Sequence, residues 1–240
     1  MVLLEVKNLS KSFGGLRAVS QLNFAINERE ILAFIGPNGS GKTTSFNLIS
    51  GLIQPDAGNV RFKGEDITGF KAHRVCERGI ARTFQLTKPF TELRVIQNVM
   101  VGRVYGRSPA KSLKQAGDES KGILNFVGLG GKENSLAGSR TLSERKRLEL
   151  ARALAGKPYL LLLDELMAGL NPTETLSAMR LVKTIRDSGV SVIMVEHILG
   201  VVQGISDRVV VINYGGKIAE GTPAEVFSNP YVIEAYLGKA

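Results

Sequence analysis

Residues 31–43 run Ile31-Leu32-Ala33-Phe34-Ile35-Gly36-Pro37-Asn38-Gly39-Ser40-Gly41-Lys42-Thr43, five apolar side chains that pass without a break into a glycine-rich turn closed by lysine and threonine. From Gly36 to Thr43 the stretch satisfies G-x-x-x-x-G-K-[ST]. The context is the one that pattern needs, because the apolar run reads as a strand and residues 42–50 read as a helix. Glycines let backbone N–H groups curl round phosphate oxygens, and the helix N-terminus directs its free donors and dipole at the same anion. Lys42 is then set to reach the terminal phosphates of a nucleotide and Thr43 to offer its hydroxyl to Mg²⁺. Pro37, Asn38, Gly39, Ser40, Gly41 and Thr44 complete the cradle. The competing reading, a flexible turn with a chance lysine, leaves the strand and the helix on either side unexplained.

Phosphate chemistry with a metal also needs an acidic group at a strand end, and Leu160-Leu161-Leu162-Leu163-Asp164-Glu165 supplies one. Asp164 is placed for the Mg²⁺ shell. Glu165 beside it is placed to hold or deprotonate an attacking water. The alternative is a strand that simply ends in solvent on two carboxylates.

Further β-like runs lie at 3–6, 23–26, 60–62, 190–195, 209–212 and 217–220, and helical stretches at 173–188 and 199–205. Continuous apolar strands alternating with helices predict an α/β domain with a mostly parallel sheet covered on both faces. The start of the chain differs. Residues 23–26 lead into 31–35 through the short polar turn Asn27-Glu28-Arg29-Glu30, and together with 60–62 they suggest an added antiparallel β layer. Strand signals vanish from 87 to 157, where glycines and polar loops punctuate helical stretches, so this segment is expected to be a helical subdomain inserted into one domain spanning 1–240.

Composition narrows the setting. Thirty-one Lys and Arg against 22 Asp and Glu give a formal charge of +9, which favours anionic partners: nucleotides, nucleic acid or an acidic membrane surface. The single Cys76 excludes an internal disulfide framework. No run approaches the roughly 18 apolar residues needed to span a bilayer, and residues 1–7 lack the apolar core of a signal peptide, so a cytoplasmic location is expected.

The remaining dense feature is Thr141-Leu142-Ser143-Glu144-Arg145-Lys146-Arg147-Leu148-Glu149-Leu150-Ala151-Arg152-Ala153-Leu154. Ser143 reads as a helix N-cap, with Leu148, Leu150, Ala151 and Leu154 along one apolar face. A second possibility is that Ser143 reaches a ligand.

Taken in order, the phosphate loop, this charged helix, "LLLLDE", "AGLN" at 168–171 and an isolated histidine after an apolar strand resemble the ATP-binding subunit of an ABC transporter over nearly the whole chain. The resemblance implies a P-loop NTPase (RecA-like) fold. It implies that Phe13 stacks on the adenine of ATP, that Gln85 approaches Mg²⁺ and the attacking water, and that His197 contacts the γ-phosphate. By themselves Phe13 reads as a half-buried turn aromatic, Gln85 as surface and His197 as structural. His73 matches no family motif, and it and Cys76 are left as structural.

Ser143 gains its second role from the same resemblance, since in this family the matching segment, usually Leu-Ser-Gly-Gly-Gln, binds the γ-phosphate held by the opposite subunit of a head-to-tail dimer. This chain departs from that pattern: Ser143 is followed at once by Glu144-Arg145-Lys146-Arg147, with no glycine. A weakened composite site, or an ATP-binding module with impaired hydrolysis, is therefore an alternative to an active ATPase. Leu166 replaces the proline that usually follows the glutamate, which is expected to loosen the turn aiming Glu165. "GIARTFQ" at 79–85, "MAGLNPTE" at 167–174 and the tail at 218–238 are similar to the ATPase of prokaryotic branched-chain amino acid importers. The implied partners are transmembrane permease subunits, contacted by the loop Gln85 to Phe90, a second ATP-binding subunit and, indirectly, a substrate-binding protein, at the cytoplasmic face of the membrane. Nucleic acid is not expected, because a non-transport ABC ATPase usually carries tandem cassettes or long coiled insertions and this chain has neither.

Overall fold

The computed structural model describes residues 1–85 and 87–237. Among these residues the strands form two sheets. In the six-stranded sheet, β3 (Ile31–Ile35) lies between β8 (Ser191–Val195) and β9 (Arg208–Asn213), with β7 (Leu160–Asp164) and β6 (Ile80–Arg82) beyond β8 and β10 (Gly216–Gly221) outside β9. All neighbours are parallel except the β9–β10 pair. Every residue of β3, β7 and β8 is buried, as continuous apolar strands under two covering layers should be.

The alternation of side chains divides the core. Leu32 and Phe34 point to one side with Leu162, Ile193 and Val210, where helix α1 (Lys42–Ile49) contributes Phe46 and Ile49. Ile31, Ala33 and Ile35 point to the other side with Leu161, Leu163 and Val192, covered by α6 (Pro172–Asp187) and α7 (Leu199–Ile205).

The four-stranded sheet closes the first side, in the order β2 (Leu16–Asn27), β1 (Val2–Phe13), β4 (Ala57–Phe62), β5 (Glu65–Asp66). The expected antiparallel layer is present, with longer strands than the pattern suggested. The turn at 27–30 is not a hairpin within it. It carries the chain from one sheet to the other, because β3 is apolar on both faces and belongs inside a covered sheet, whereas β2 alternates between buried and exposed positions. The edge strand β6 and the short helix α2 (Ala72–Arg78) were not anticipated. Three residues of strand carry too little periodicity to read.

Between β6 and β7 lie α3 (Val95–Tyr105), α4 (Leu113–Phe126) and α5 (Leu142–Ala155), which share a cluster of Val95, Val99, Leu124, Leu148 and Ala151. The helix α5 bridges two cores, since its Leu150 packs under the parallel sheet while Leu148 and Ala151 face α3 and α4. The chain ends in α8 (Pro223–Phe227) and α9 (Pro230–Leu237). No helix among the described residues is long and apolar enough to cross a membrane.

Candidate functional site

The phosphate loop leaves β3 at the C-terminal edge of the parallel sheet and ends at Gly41, whose φ of 104° starts α1. That position needs glycine twice over, since a Cβ there would come within 2.4 Å of the Ala18 carbonyl oxygen. At Gly36 a Cβ would meet the Ile212 carbonyl oxygen at 2.1 Å. The loop is therefore pressed against neighbouring strands. Lys42 folds back over it, its Nζ donating to the carbonyls of Gly36 at 2.7 Å and Pro37 at 2.8 Å. Burial pulls the Lys42 pKa down, against the attraction of Glu165 and Asp164.

A cleft of about 410 Å³ opens over this loop, lined by Asn38 to Thr44, by Gln85, Glu165 and His197, and at its rim by Phe13. Phe13 is half exposed, with the Lys11 ammonium 5.7 Å from its ring centre. Gln85 and His197 converge on one carboxylate. Gln85 Nε2 donates to Glu165 Oε2 at 2.9 Å, and His197 Nε2 lies 2.9 Å from Glu165 Oε1. Three residues from separate parts of the sequence thus face the phosphate loop together.

Asp164 is buried behind them. Its Oδ2 accepts from Arg82 Nη2 at 2.9 Å, and its backbone N–H donates to Thr83 Oγ1 at 3.2 Å. Arg82 and Thr83 were missed as site residues, although they stand in the quoted run at 79–85, because the three-residue strand β6 that places them has no readable period.

A nucleotide and a divalent cation fit these residues. Ser40 Oγ is buried in the loop without a protein partner, an orphan acceptor and donor of the kind a phosphate oxygen would satisfy. No cluster of three or more His, Cys, Asp or Glu able to hold a metal by themselves occurs among the described residues. The donor set of Thr43, Gln85 and Asp164, with its one carboxylate, suits Mg²⁺, which is bound through one or two carboxylates plus substrate phosphates.

The turn after Asp164 is distinctive. Glu165 has φ of 51°, in the left-handed region. Leu166, expected to leave this turn loose, is buried in the core beneath it. Glu165 donates its N–H to the Val195 carbonyl at 3.0 Å, while its own carbonyl accepts from Lys146 Nζ at 2.9 Å. Next to it, Met167 donates its N–H to Glu196 Oε1 at 3.0 Å. Burial lifts the Glu196 pKa to about 7, opposed by that hydrogen bond and by the Lys146 charge. Burial likewise lowers Lys146, and Glu196 opposes it. Sequence reading passed over both residues; the signal was a charge at a buried strand end and another on the buried side of a helix.

Ser143 is apart from all this, and its reading as an N-cap is corrected. The cap of α5 is Thr141, whose Oγ1 accepts from the Glu144 N–H at 3.3 Å while Glu144 Oε2 accepts from the Thr141 N–H at 3.1 Å. The spacing explains it: Thr141-x-x-Glu144 is a capping box, and three residues after Ser143 stands Lys146, which has no acceptor. Ser143 lies in the first turn of α5 and lines a small separate pocket with Lys146, Arg147 and Glu174. Glu144 is further paired with Lys132 and Arg140. In the loop expected to contact permease subunits, Phe90 is 47% exposed under the Arg152 guanidinium, and Leu93 just beyond it is partly buried. Leu86 and the last residues of the tail, from Gly238, lie outside the described residues.

Known proteins resemble the chain over nearly its whole length. Residues 19–168 match the ABC transporter family, and residues 217–240 match the family described as branched-chain amino acid ATP-binding cassette transporter. The chain is 39% identical to the high-affinity branched-chain amino acid transport ATP-binding protein BraF of Pseudomonas aeruginosa over 251 aligned residues, covering 99% of this chain and 98% of BraF. It is 38% identical to LivG of Salmonella typhimurium, a protein of the same description, with the same coverage. The crystal structure of a nucleotide-free ATP-binding cassette from an ABC transporter superimposes with a TM-score of 0.92 over 100% of both chains at 31% identity.

Proposed function

The chain belongs to the ABC transporter family as an ATP-hydrolysing cassette, and from that premise we propose that it powers a branched-chain amino acid importer from the cytoplasmic face of the cell membrane. The observation that carries the chemistry is the convergence of Gln85 and His197 on the Glu165 carboxylate above the phosphate loop. Phe13 stacks on adenine, and Lys42 with the loop N–H groups and the N-terminus of α1 holds the phosphates. Thr43, Asp164 and Gln85 would hold Mg²⁺, whose charge when bound neutralises the β- and γ-phosphates. Glu165 takes the proton of a water placed by Gln85 in line with the γ-phosphate, and His197 donates to the γ-phosphate as its charge redistributes. The products are ADP and phosphate.

Substrate and direction rest on the tail at 217–240 and on the similarity to BraF and LivG. Residues 87–157 act as an inserted helical subdomain of the single domain 1–240. Transmembrane permease subunits dock in the groove where Leu52, Cys76, Phe84, Tyr105 and Arg152 meet, close to Phe90. A second ATP-binding subunit, a copy of this chain or a different one, closes over the cleft, and a substrate-binding protein delivers the amino acid to the permease.

The test is ATP turnover by the purified subunit over a range of protein concentrations, beside Glu165→Gln. Turnover is expected and should fall by about a hundredfold or more in the variant while nucleotide binding persists, as for loss of a general base. Turnover unchanged by Glu165→Gln would sink the assignment of that residue. Stimulation by leucine-loaded binding protein in reconstituted membranes tests the substrate.

A second reading has its own observation. The N-terminus of α5 carries no glycine, and its capping box places the Glu144 carboxylate in the first turn. A cassette with that feature binds ATP well and completes the cycle slowly with its own copy.

A further inference from the structure

Glu165 carries its carboxylate on a backbone conformation that a residue with a Cβ disfavours, so something must hold it there. Gln85 and His197 meet its carboxylate, and five hydrogen bonds hold the backbone of residues 165–168. Three are backbone to backbone, from Glu165 to Val195 at 3.0 Å, from Ala168 back to Glu165 at 3.2 Å and from Leu170 to Met167 at 3.2 Å. The other two come from charged side chains that are almost wholly buried: Lys146, 5% exposed, donates to the Glu165 carbonyl, and Glu196, 3% exposed, accepts from the Met167 N–H. Neither residue lines the phosphate cleft.

A buried ion pair is poor evidence of stabilisation, since desolvation offsets the attraction, and an apolar pair of similar volume often serves the fold as well. Here the two charges do not close on each other. Both bind the turn, from opposite elements: Lys146 donates to it from α5, and Glu196, just past the end of β8, accepts from it. Lys146 is also a rigid link between the helical layer and that turn, because its own helix packs on α3 and α4 through Leu148 and Ala151.

We infer that Lys146 and Glu196 are positioning residues that hold the turn at 165–167 so that the Glu165 carboxylate faces the cleft, and that Lys146 ties this aim to the placement of α5. The inference rests on the reading of Glu165 as the general base.

Three measurements on the full chain test it together: kcat and KM for Mg·ATP, equilibrium binding of a fluorescent ATP analogue, and hydrogen exchange of the amides at 165–168 without nucleotide. Lys146→Met should lower kcat about tenfold or more, the effect expected from a small misplacement of a catalytic group, while KM and analogue binding stay within about twofold. The same amides should exchange about tenfold faster. Lys146→Arg, which keeps a donor, should recover most of kcat. Glu196→Leu should repeat the loss and Glu196→Gln, which keeps an acceptor for Met167, should not. An unchanged kcat in Lys146→Met with unchanged exchange overturns the inference. So does a loss of kcat that the conservative variants share, or that comes with equal loss of analogue binding. Failure of both Lys146→Met and Glu196→Leu to fold would make the pair determinants of the fold and would also overturn it. Should the native chain show no turnover sensitive to Glu165→Gln, the assignment of the base fails, and the exchange measurement still decides whether the pair holds the turn.

Discussion

Glu196 shows how one buried carboxyl couples the site to pH. Its pKa stands near 7 in the fold because burial disfavours the charged form, with Lys146 and the Met167 N–H pulling the other way and the Glu165 carboxylate adding to the rise. In the unfolded chain the same group titrates near 4.5, so the native state keeps its proton over the interval between the two values. The associated stability is complete below pH about 4.5 and is lost as pH rises through about 7. At 1.36 kcal/mol per pKa unit the loss comes to about 3 kcal/mol. Urea unfolding of the native chain and of Glu196→Gln at pH 5 and pH 8.5 measures it. The variant should gain on the native chain by about that amount between the two pH values, and a gap that does not move with pH would show that Glu196 does not titrate there. Gly36 makes a sharper residue-scale case. A methyl group at Gly36 would overlap the Ile212 carbonyl oxygen, so Gly36→Ala must push the phosphate loop or β9 aside. Analogue binding should weaken at least tenfold, and an unaffected affinity would mean that the loop relaxes without losing its phosphate-binding shape.

At the scale of elements, the start of α5 separates two serine and threonine roles that look alike in sequence. Thr141 and Glu144 cap each other's backbone donors, so Thr141→Ala should cost about 1 kcal/mol of unfolding free energy. Ser143→Ala, one step inside the helix, should change it by less than about 0.5 kcal/mol. A larger loss at Ser143 than at Thr141 in urea titrations would reverse the assignment of the cap. The case also shows what the sequence could and could not tell. β3, β7 and β8 were legible because runs of four or five apolar residues admit few places other than a covered sheet, and the phosphate loop was legible because its backbone chemistry imposes fixed residue types. The cap was misread because serine is by itself a better capping type than threonine, and only the position of Glu144 decides for Thr141. β6 escaped because three residues have no period, and the turn at 27–30 escaped because short polar turns join strands within a sheet and between sheets alike. Lys146, Glu196 and Arg82 lay in quoted stretches, but their roles depend on partners 19 to 82 residues away, and single-chain pattern carries no such distances.

For the whole molecule, Ser143 and the phosphate cleft occupy different places: Ser143 lines a small pocket with Arg147 and Glu174, and no residue of the phosphate loop takes part in it. Ser143 thus takes no part in this chain's own cleft, and in the proposed pairing of two subunits the phosphate it would meet is the partner's. What such a phosphate would find is unfavourable. The Thr141 and Glu144 N–H groups already have acceptors, and the Glu144 carboxylate stands at the helix end where an incoming anion would be repelled. Its charge is offset by Lys132 and Arg140, which lessens that repulsion without supplying backbone donors. The aligned length shared with BraF, 251 residues, exceeds the 240 of this chain, so BraF carries residues that this chain lacks. Inserting Tyr-Gly after Ser143 moves Glu144 two positions down the helix, breaks the capping box and gives the turn a glycine able to approach an anion closely. ATP turnover per subunit should then rise about tenfold at high protein concentration and grow more steeply than linearly with it, while the fall caused by Glu165→Gln persists in the inserted background. If the native chain already shows the steep dependence and the insertion adds nothing, the capped end of α5 is compatible with a working two-chain site and the loss of glycine has been absorbed by the partner's surface.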